Sequence, residues 1–192
     1  MTPETSVHPQ ALRSPVTSSG DELVVLLDEA GEPCGTHLKA TVHTATTPLH
    51  LAFSCHVLDD RGRVLVTRRA LSKKTWPGVW TNSFCGHPAP GETPEEAVAR
   101  RASQELGIEV TDVTSVLPDF RYLATDASGV VENEICPVFT ARAVGVPDPS
   151  PDEVAEWAWT DPQALRDAVA ATPFAFSPWL GWQLEAWPTP QG

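Results

Sequence analysis

No apolar run in the 192-residue chain approaches the length of a bilayer span, which argues against membrane insertion. Basic residues are scarce: 13 Lys and Arg against 25 Asp and Glu give a formal net charge of -12 and a pI of about 4.8. A surface of that sign repels a phosphate backbone, so broad nucleic-acid binding is not expected. Cys34, Cys55, Cys85 and Cys136 form no Cys-x-x-Cys pair, and the N-terminus has neither a basic start nor an apolar segment. A reducing cytoplasm is the expected setting, with Cys34, Cys55 and Cys136 as small apolar core residues. Residues 1–20 hold few large apolar groups among many Pro, Ser and Thr, and are expected to form a loose tail. Residues 21–192 then suffice for one well-buried domain, with no internal repeat or interdomain linker.

What is present begins with two hairpins. Leu23 to Asp28 pairs with Pro33 to Lys39 around Glu29-Ala30-Gly31. His50 opens a strand over 51–58, which turns at Asp59-Asp60-Arg61-Gly62 into a strand over 63–69. The far end of this second hairpin delivers Arg68, Arg69, Lys73 and Lys74, four of the thirteen bases within seven residues. Such a cluster is either a solvated loop or a local positive site for a small anion. His43 and His50 flank a loop-like stretch; taken alone, each reads as an ordinary packed or exposed side chain, and His56 has no evident partner.

The centre of the chain carries the chemistry. Thr81 to His87 reads as a short strand with Cys85 and His87 at its end, followed by a Pro/Gly loop over Pro88 to Gly91. Thr93 caps a helix that has Pro94 in its first turn, Glu96 closing a capping box and Gly107 ending it. Ala97, Val98 and Leu106 can face a core, while Arg101 and Glu105 share another face. Strands are expected over 110–117 and 120–123, then one apolar strand over 130–140 bearing Glu132 and Glu134. Two residues apart in a strand, these carboxylates share a face, and burying both requires a cation or a proton between them. A last strand over 154–159, a helix capped by Asp161 and another starting at Pro178-Trp179 complete the chain.

The spacing of Gly86, Glu92, Arg100, Glu105 and Gly107 resembles the Nudix box, the loop-helix signature of enzymes acting on substituted diphosphates. Arg101 and Gln104 stand where that box has glutamates, so two of three metal-gathering helix carboxylates are missing. The combination of Thr81 to Pro88, Arg68 to Lys74, Tyr122, Glu132 to Glu134 and Ala175 to Trp179 is more specific. Together these resemble type I isopentenyl diphosphate isomerase of the Nudix superfamily, over roughly Leu23 to Trp182. The resemblance implies an α/β (α+β) Nudix fold, a mixed β-sheet sandwiched between α-helices, with a catalytic core over about 49–182.

It also implies a mechanism: isopentenyl diphosphate and dimethylallyl diphosphate interconvert by protonation and deprotonation through a tertiary carbocation. Cys85 and Glu134 would be the proton-transfer pair, Glu134 giving and Cys85 receiving, with Tyr122 beside Glu134 and the Trp179 ring facing the cation. His43, His50, His87, Glu132 and Glu134 would hold a divalent ion, Mn2+ or else Zn2+ or Mg2+. A separate Mg2+ would be held by Glu105, the Cys85 carbonyl and the substrate diphosphate. Lys39, Arg69, Lys73 and Arg101 would neutralise the remaining diphosphate charge. A monomer is expected. Competing readings are a Nudix pyrophosphohydrolase, which would release phosphate, and a metal-stabilised binding module without turnover.

Overall fold

The computed structural model describes residues 22–187; the tail expected over residues 1–20 lies outside them. Strands β1 (Leu23–Leu27) and β2 (Pro33–Leu38) form the first expected hairpin, and β2 runs into a single helical turn, α1 (Lys39–Val42). Next come β3 (His50–Leu51), β4 (Phe53–Leu58), β5 (Val64–Arg69) and two short strands, β6 (Trp80–Thr81) and β7 (Phe84–Gly86). Helix α2 (Pro94–Arg101) continues as a wider π turn over Ala102–Leu106. Then follow β8 (Glu109–Leu117), β9 (Arg121–Thr125), β10 (Val131–Ile135), β11 (Val138–Val144) and β12 (Val154–Thr160). Helices α3 (Pro162–Ala171) and α4 (Pro178–Ala186) close the described chain.

The mixed β structure is divided into two sheets, ordered β2-β1-β3-β10-β9 and β12-β5-β4-β11-β8, with β6 on β5 and β7 on β4. The division happens inside two stretches that read as continuous strands. Between β3 and β4 the chain changes sheet at Ala52, and between β10 and β11 it does so at Cys136-Pro137. The two crossings are coupled. Parallel pairing of β3 with β10 passes into parallel pairing of β4 with β11, and the amides of Ala52 and Ser54 donate to the carbonyls of Ile135 (2.9 Å) and Pro137 (3.1 Å) across the break. A fork between the sheets results, lined by Cys85 of β7 and by Glu132 and Glu134 of β10.

The second sheet is sandwiched between helices, as its alternation dictates. Phe53, Cys55, Val57 and Leu65 meet Ala97, Val98, Ala102 and Leu106 on one face. Val64 and Val66 meet Leu165, Val169, Leu180 and Leu184 of α3 and α4 on the other. The α2 start is as expected: the Thr93 hydroxyl accepts from the Glu96 amide, and the Glu96 carboxylate accepts from the Thr93 amide. Gly107 ends the π turn at φ 64°, against Asp148, whose carbonyl oxygen would lie 2.5 Å from any added Cβ. Cys55 and Cys136 are core residues, but Cys34 is exposed, because β2 is an edge strand with solvent along its length. His56 has a partner after all: its Nε2 donates to Gln183 Oε1 at 3.0 Å, and its ring packs at 5.4 Å from that of Trp187.

Burial lowers the His56 pKa from 6.5 to about 4, so the ring is neutral in the folded chain. The unfolded chain takes up that proton as the pH falls through this window, so the wild type loses up to about 3 kcal/mol of stability between pH 6.5 and pH 4 through this group. Urea unfolding across that range should show a shallower loss for His56→Phe; equal slopes would contradict the assignment.

Candidate active site

A cavity of about 290 Å3 opens at the fork between the sheets. Its walls contain Lys39, His43, Arg69, Lys73, Cys85, His87, Arg101, Glu105, Tyr122, Glu132, Glu134 and Trp179, which are all the expected site residues except His50. His50, fully buried, lies behind the wall. Strand register explains the convergence: Glu134 of β10 is paired with His50 of β3 on one side and with Tyr122 of β9 on the other. One row across the first sheet therefore reads imidazole, carboxylate, phenol. His43 arrives from the end of α1 and His87 from the residue after β7.

Glu134 Oε1 lies 3.3 Å from His87 Nε2, 3.4 Å from His50 Nε2 and 3.8 Å from His43 Nε2. Burial works to raise the Glu134 pKa, but the three imidazoles outweigh it and hold the carboxyl well below the usual range. Burial pushes the His87 pKa down to about 4, leaving a neutral ring. His50 is raised, because Glu134 outweighs the cost of its burial. Its Nδ1 lies 2.9 Å from the Pro48 carbonyl, to which it donates, and this turns Nε2 toward the cluster.

Donor atoms of His43, His50, His87 and Glu134 all lie within 4.8 Å of one another. His50 Nε2 and His87 Nε2 face each other at 3.2 Å, and His43 Nε2 and His87 Nδ1 are buried without a hydrogen-bond partner. Three imidazole nitrogens converging on one carboxylate oxygen suit a divalent metal ion. Glu132 stands apart from this group: its Oε1 accepts from Thr75 Oγ1 at 2.6 Å, and its Oε2 lies 2.8 Å from the Tyr122 hydroxyl. That hydroxyl is also 2.8 Å from Glu134 Oε2. A hydroxyl has one hydrogen to give, so the two carboxyls flank it as unlike partners. Burial first, and the charge of Glu134 second, raise the Glu132 pKa, the opposite direction to that of Glu134.

Cys85 sits on β7, with Sγ 3.2 Å from Ser54 Oγ and 3.4 Å from both Oδ1 and Nδ2 of Asn82. Burial pushes its pKa up to about 12, so the thiol is neutral. Trp179, 1% exposed, donates from Nε1 to Asn82 Oδ1 at 3.1 Å, stacks on Tyr122 at 5.7 Å and meets Trp76 edge-on at 5.1 Å. The Arg69 guanidinium carbon stands 5.6 Å from the centroid of the Trp179 ring, so that ring offers its face to positive charge.

The other wall is cationic, and most of its charges are paired. Lys39 Nζ bonds Glu22 at 2.6 Å, Lys73 bonds Glu153, and Arg101 Nε bonds Glu105 Oε1 at 2.8 Å. Glu153 also reaches Arg101 at 3.3 Å. Arg69 is directed instead at the Thr75 carbonyl and hydroxyl at 2.9–3.1 Å. The basic cluster divides: Arg68 turns away to the Gly78 carbonyl and Glu156, whereas Lys74 reaches the His43 carbonyl. Sequence reasoning missed Glu153, Thr75 and Ser54. Nothing in the Pro- and Asp-rich run around Glu153 separates it from its solvated neighbours, and Ser54 becomes visible only once β4 and β7 are paired.

A NUDIX domain model matches residues 48–180. The isopentenyl-diphosphate Delta-isomerase of Clavibacter michiganensis subsp. michiganensis is 69% identical over 163 residues, covering 85% of this chain and 84% of that one. Those of Kocuria rhizophila and Corynebacterium glutamicum are 65% and 61% identical, covering 87% and 86% of this chain and 93% and 90% of theirs. Among solved structures, the DR0079 protein of Deinococcus radiodurans superposes with a TM-score of 0.68 at 21% identity, covering 88% of this chain and 100% of that one. A MutT protein from Methanosarcina mazei gives 0.56 at 20% identity, over 72% and 92%. These structures speak to the fold. No helix among the described residues is long and apolar enough to cross a membrane.

Isothermal titration of chelator-stripped protein with Mn2+ or Zn2+ should show one tight site, weakened at least about tenfold in His50→Ala and His87→Ala. Wild-type affinity in both variants would remove the imidazole cluster as the metal centre.

Proposed function

The chain belongs to the NUDIX-domain family and, within it, to the isopentenyl-diphosphate Delta-isomerases, and from that premise we propose that it converts isopentenyl diphosphate to dimethylallyl diphosphate. One observation carries the reading to this chain's own residues: a single cavity has a cationic wall and, beside it, a thiol, a carboxylate–phenol pair and an indole face. The first suits a diphosphate. The rest suit a proton shift on an alkene.

In this reading Lys39, Arg69, Lys73 and Arg101 receive the diphosphate, with Arg101 exchanging part of its contact with Glu105 and Glu153 for phosphate oxygens. Glu105 and the Cys85 carbonyl would hold Mg2+ against the diphosphate. His43, His50, His87 and Glu134, with Glu132 as a further carboxylate, would hold a second divalent ion, Mn2+ or else Zn2+ or Mg2+. Bound there, such an ion supplies positive charge that fixes Glu134 and makes a proton on it more acidic.

Glu134 gives a proton to the terminal carbon of the alkene, and Cys85 Sγ takes one from the neighbouring methylene. The neutral thiol and ionised Glu134 described above are the state this transfer leaves behind. Before the next turnover Cys85 must lose the proton it took, returning to the thiolate that can accept another, and Glu134 must regain one. The Tyr122 hydroxyl, 2.8 Å from both Glu134 and Glu132, is placed to pass a proton to Glu134. Between the two transfers the substrate is a tertiary carbocation. The Trp179 ring stabilises it by roughly 2 kcal/mol when water is excluded.

We read residues 21–192 as one catalytic unit acting as a monomer in the cytoplasm, with no nucleic-acid or membrane partner. Arg101 and Gln104 leave Glu105 as the remaining carboxylate of the three box positions, which disfavours diphosphate hydrolysis.

The test is isomerase turnover with Mg2+ and Mn2+, with phosphate release assayed in parallel. Cys85→Ala and Glu134→Gln should each lower kcat by about 10²- to 10⁴-fold while the far-ultraviolet spectrum is unchanged. Wild-type turnover by either variant would remove that residue from the mechanism, and phosphate release in place of isomerisation would make the protein a hydrolase. Arg101→Glu should raise KM for the diphosphate; an unchanged KM would refute its anion-binding role.

A further inference from the structure

Behind Cys85 a buried hydrogen-bond chain runs along one face of the second sheet to α4, and the proposed chemistry leaves it unused. Ser54 and Cys85 are register partners on β4 and β7, so their side chains share a face. His56, two residues after Ser54, shares that face too. Gln183 of α4 descends between the two: its Nε2 donates to Ser54 Oγ at 2.8 Å, and its Oε1 accepts from His56 Nε2 at 3.0 Å. Ser54, His56 and Gln183 are each at most 1% exposed.

The hydrogens along this chain can be counted. The ring of His56 is neutral, and since an amide oxygen can only accept, its one N–H lies on Nε2. With Oε1 on His56, the Gln183 NH2 faces Ser54. Ser54 Oγ, already accepting, has its own hydrogen left to donate, and the sulfurs of Cys85 (3.2 Å) and Cys136 (3.4 Å) are within reach. The other amide near Cys85 has prior commitments: Asn82 Nδ2 donates to the carbonyls of Phe84 (2.7 Å) and Cys55 (3.1 Å). Its Oδ1 accepts from Thr81 Oγ1 at 2.9 Å and from Trp179.

We propose that Ser54, Gln183 and His56 are positioning residues for the isomerisation, forming a relay of oriented hydrogen bonds that directs the Ser54 hydroxyl onto the Cys85 sulfur and fixes it toward the substrate. The inference rests on the reading of Cys85 as a proton-transfer group. A buried polar chain of this kind is costly to leave half-satisfied, so its members stand or fall together. Placement of the sulfur acts on the chemical step, whereas the diphosphate is gripped by the other wall, so kcat should respond and KM should not.

The experiment combines steady-state kinetics with the infrared S–H stretch of Cys85, identified by its loss in Cys85→Ala. Ser54→Ala and Gln183→Met should each lower kcat by about tenfold, the scale of one lost buried hydrogen bond, at constant KM, and should shift the S–H band. His56→Phe should move both readouts in the same direction, and Cys136→Ala, which removes the competing sulfur, should leave kcat at the wild-type value or above. If Ser54→Ala keeps wild-type kcat and an unshifted band while Cys85→Ala is inactive, the relay is wrong. An active Cys85→Ala would count against the catalytic reading itself, and the S–H band would then decide the hydrogen bond alone. Should Gln183→Met fail to fold, Ser54→Ala, the smaller change, decides the question.

Discussion

The site depends on how one carboxylate, ionised in the free chain, is held inside the protein. An unpaired carboxylate in such a place would take up a proton, because the interior solvates charge poorly. Glu134 avoids this through three imidazoles on its Oε1 and a phenol on its Oε2. Those partners come from four separate segments, and strand register delivers two of them directly. His50 and Tyr122 flank Glu134 because β3, β10 and β9 are neighbours in that order. That order requires β3 and β10 to leave the main sheet, so the breaks at Ala52 and at Cys136-Pro137 serve the site as much as the fold.

Charge is divided across the cavity. On one wall, lysines and arginines outnumber the carboxylates that bind them, so an anion can enter without leaving a cation stranded. Arg101 shows the trade most plainly: it occupies a position where the family signature has a glutamate, and with Glu105 and Glu153 as neighbours it is held charged despite its burial. A glutamate in its place would restore one of the two missing box carboxylates and would repel the diphosphate rather than bind it. In the proposed reading a guanidinium there would hold the diphosphate intact, with the proton chemistry assigned to Cys85, Glu134 and Tyr122.

Much of this was legible in the sequence, for reasons that differ by element. The cap of α2 was readable because Thr93, Pro94, Glu96 and Gly107 act within a few residues of one another. The Arg101–Glu105 pair followed from helix periodicity, and the shared face of Glu132 and Glu134 from strand periodicity. What resisted reading was anything set by pairing between distant strands. Two stretches that look like single strands each divide between sheets, since nothing local to Ala52 or Cys136 signals a change of partner. Cys34 looks like a core residue but lies on an edge strand. His56 looks solitary because Gln183, its partner, is 127 residues away. The metal cluster lay between these cases: spacing alone could not assemble His43, His50 and His87, and the family resemblance nominated them.

The central claim is that a carbon–carbon double bond moves through protonation while the diphosphate stays intact. Proton NMR of isopentenyl diphosphate incubated with the protein, Mg2+ and Mn2+ in D2O tests it most directly. The account predicts dimethylallyl diphosphate carrying solvent deuterium in the methyl group formed from the terminal alkene carbon. Conversion without any deuterium at that position, or no conversion at all with the metal sites loaded, would contradict it.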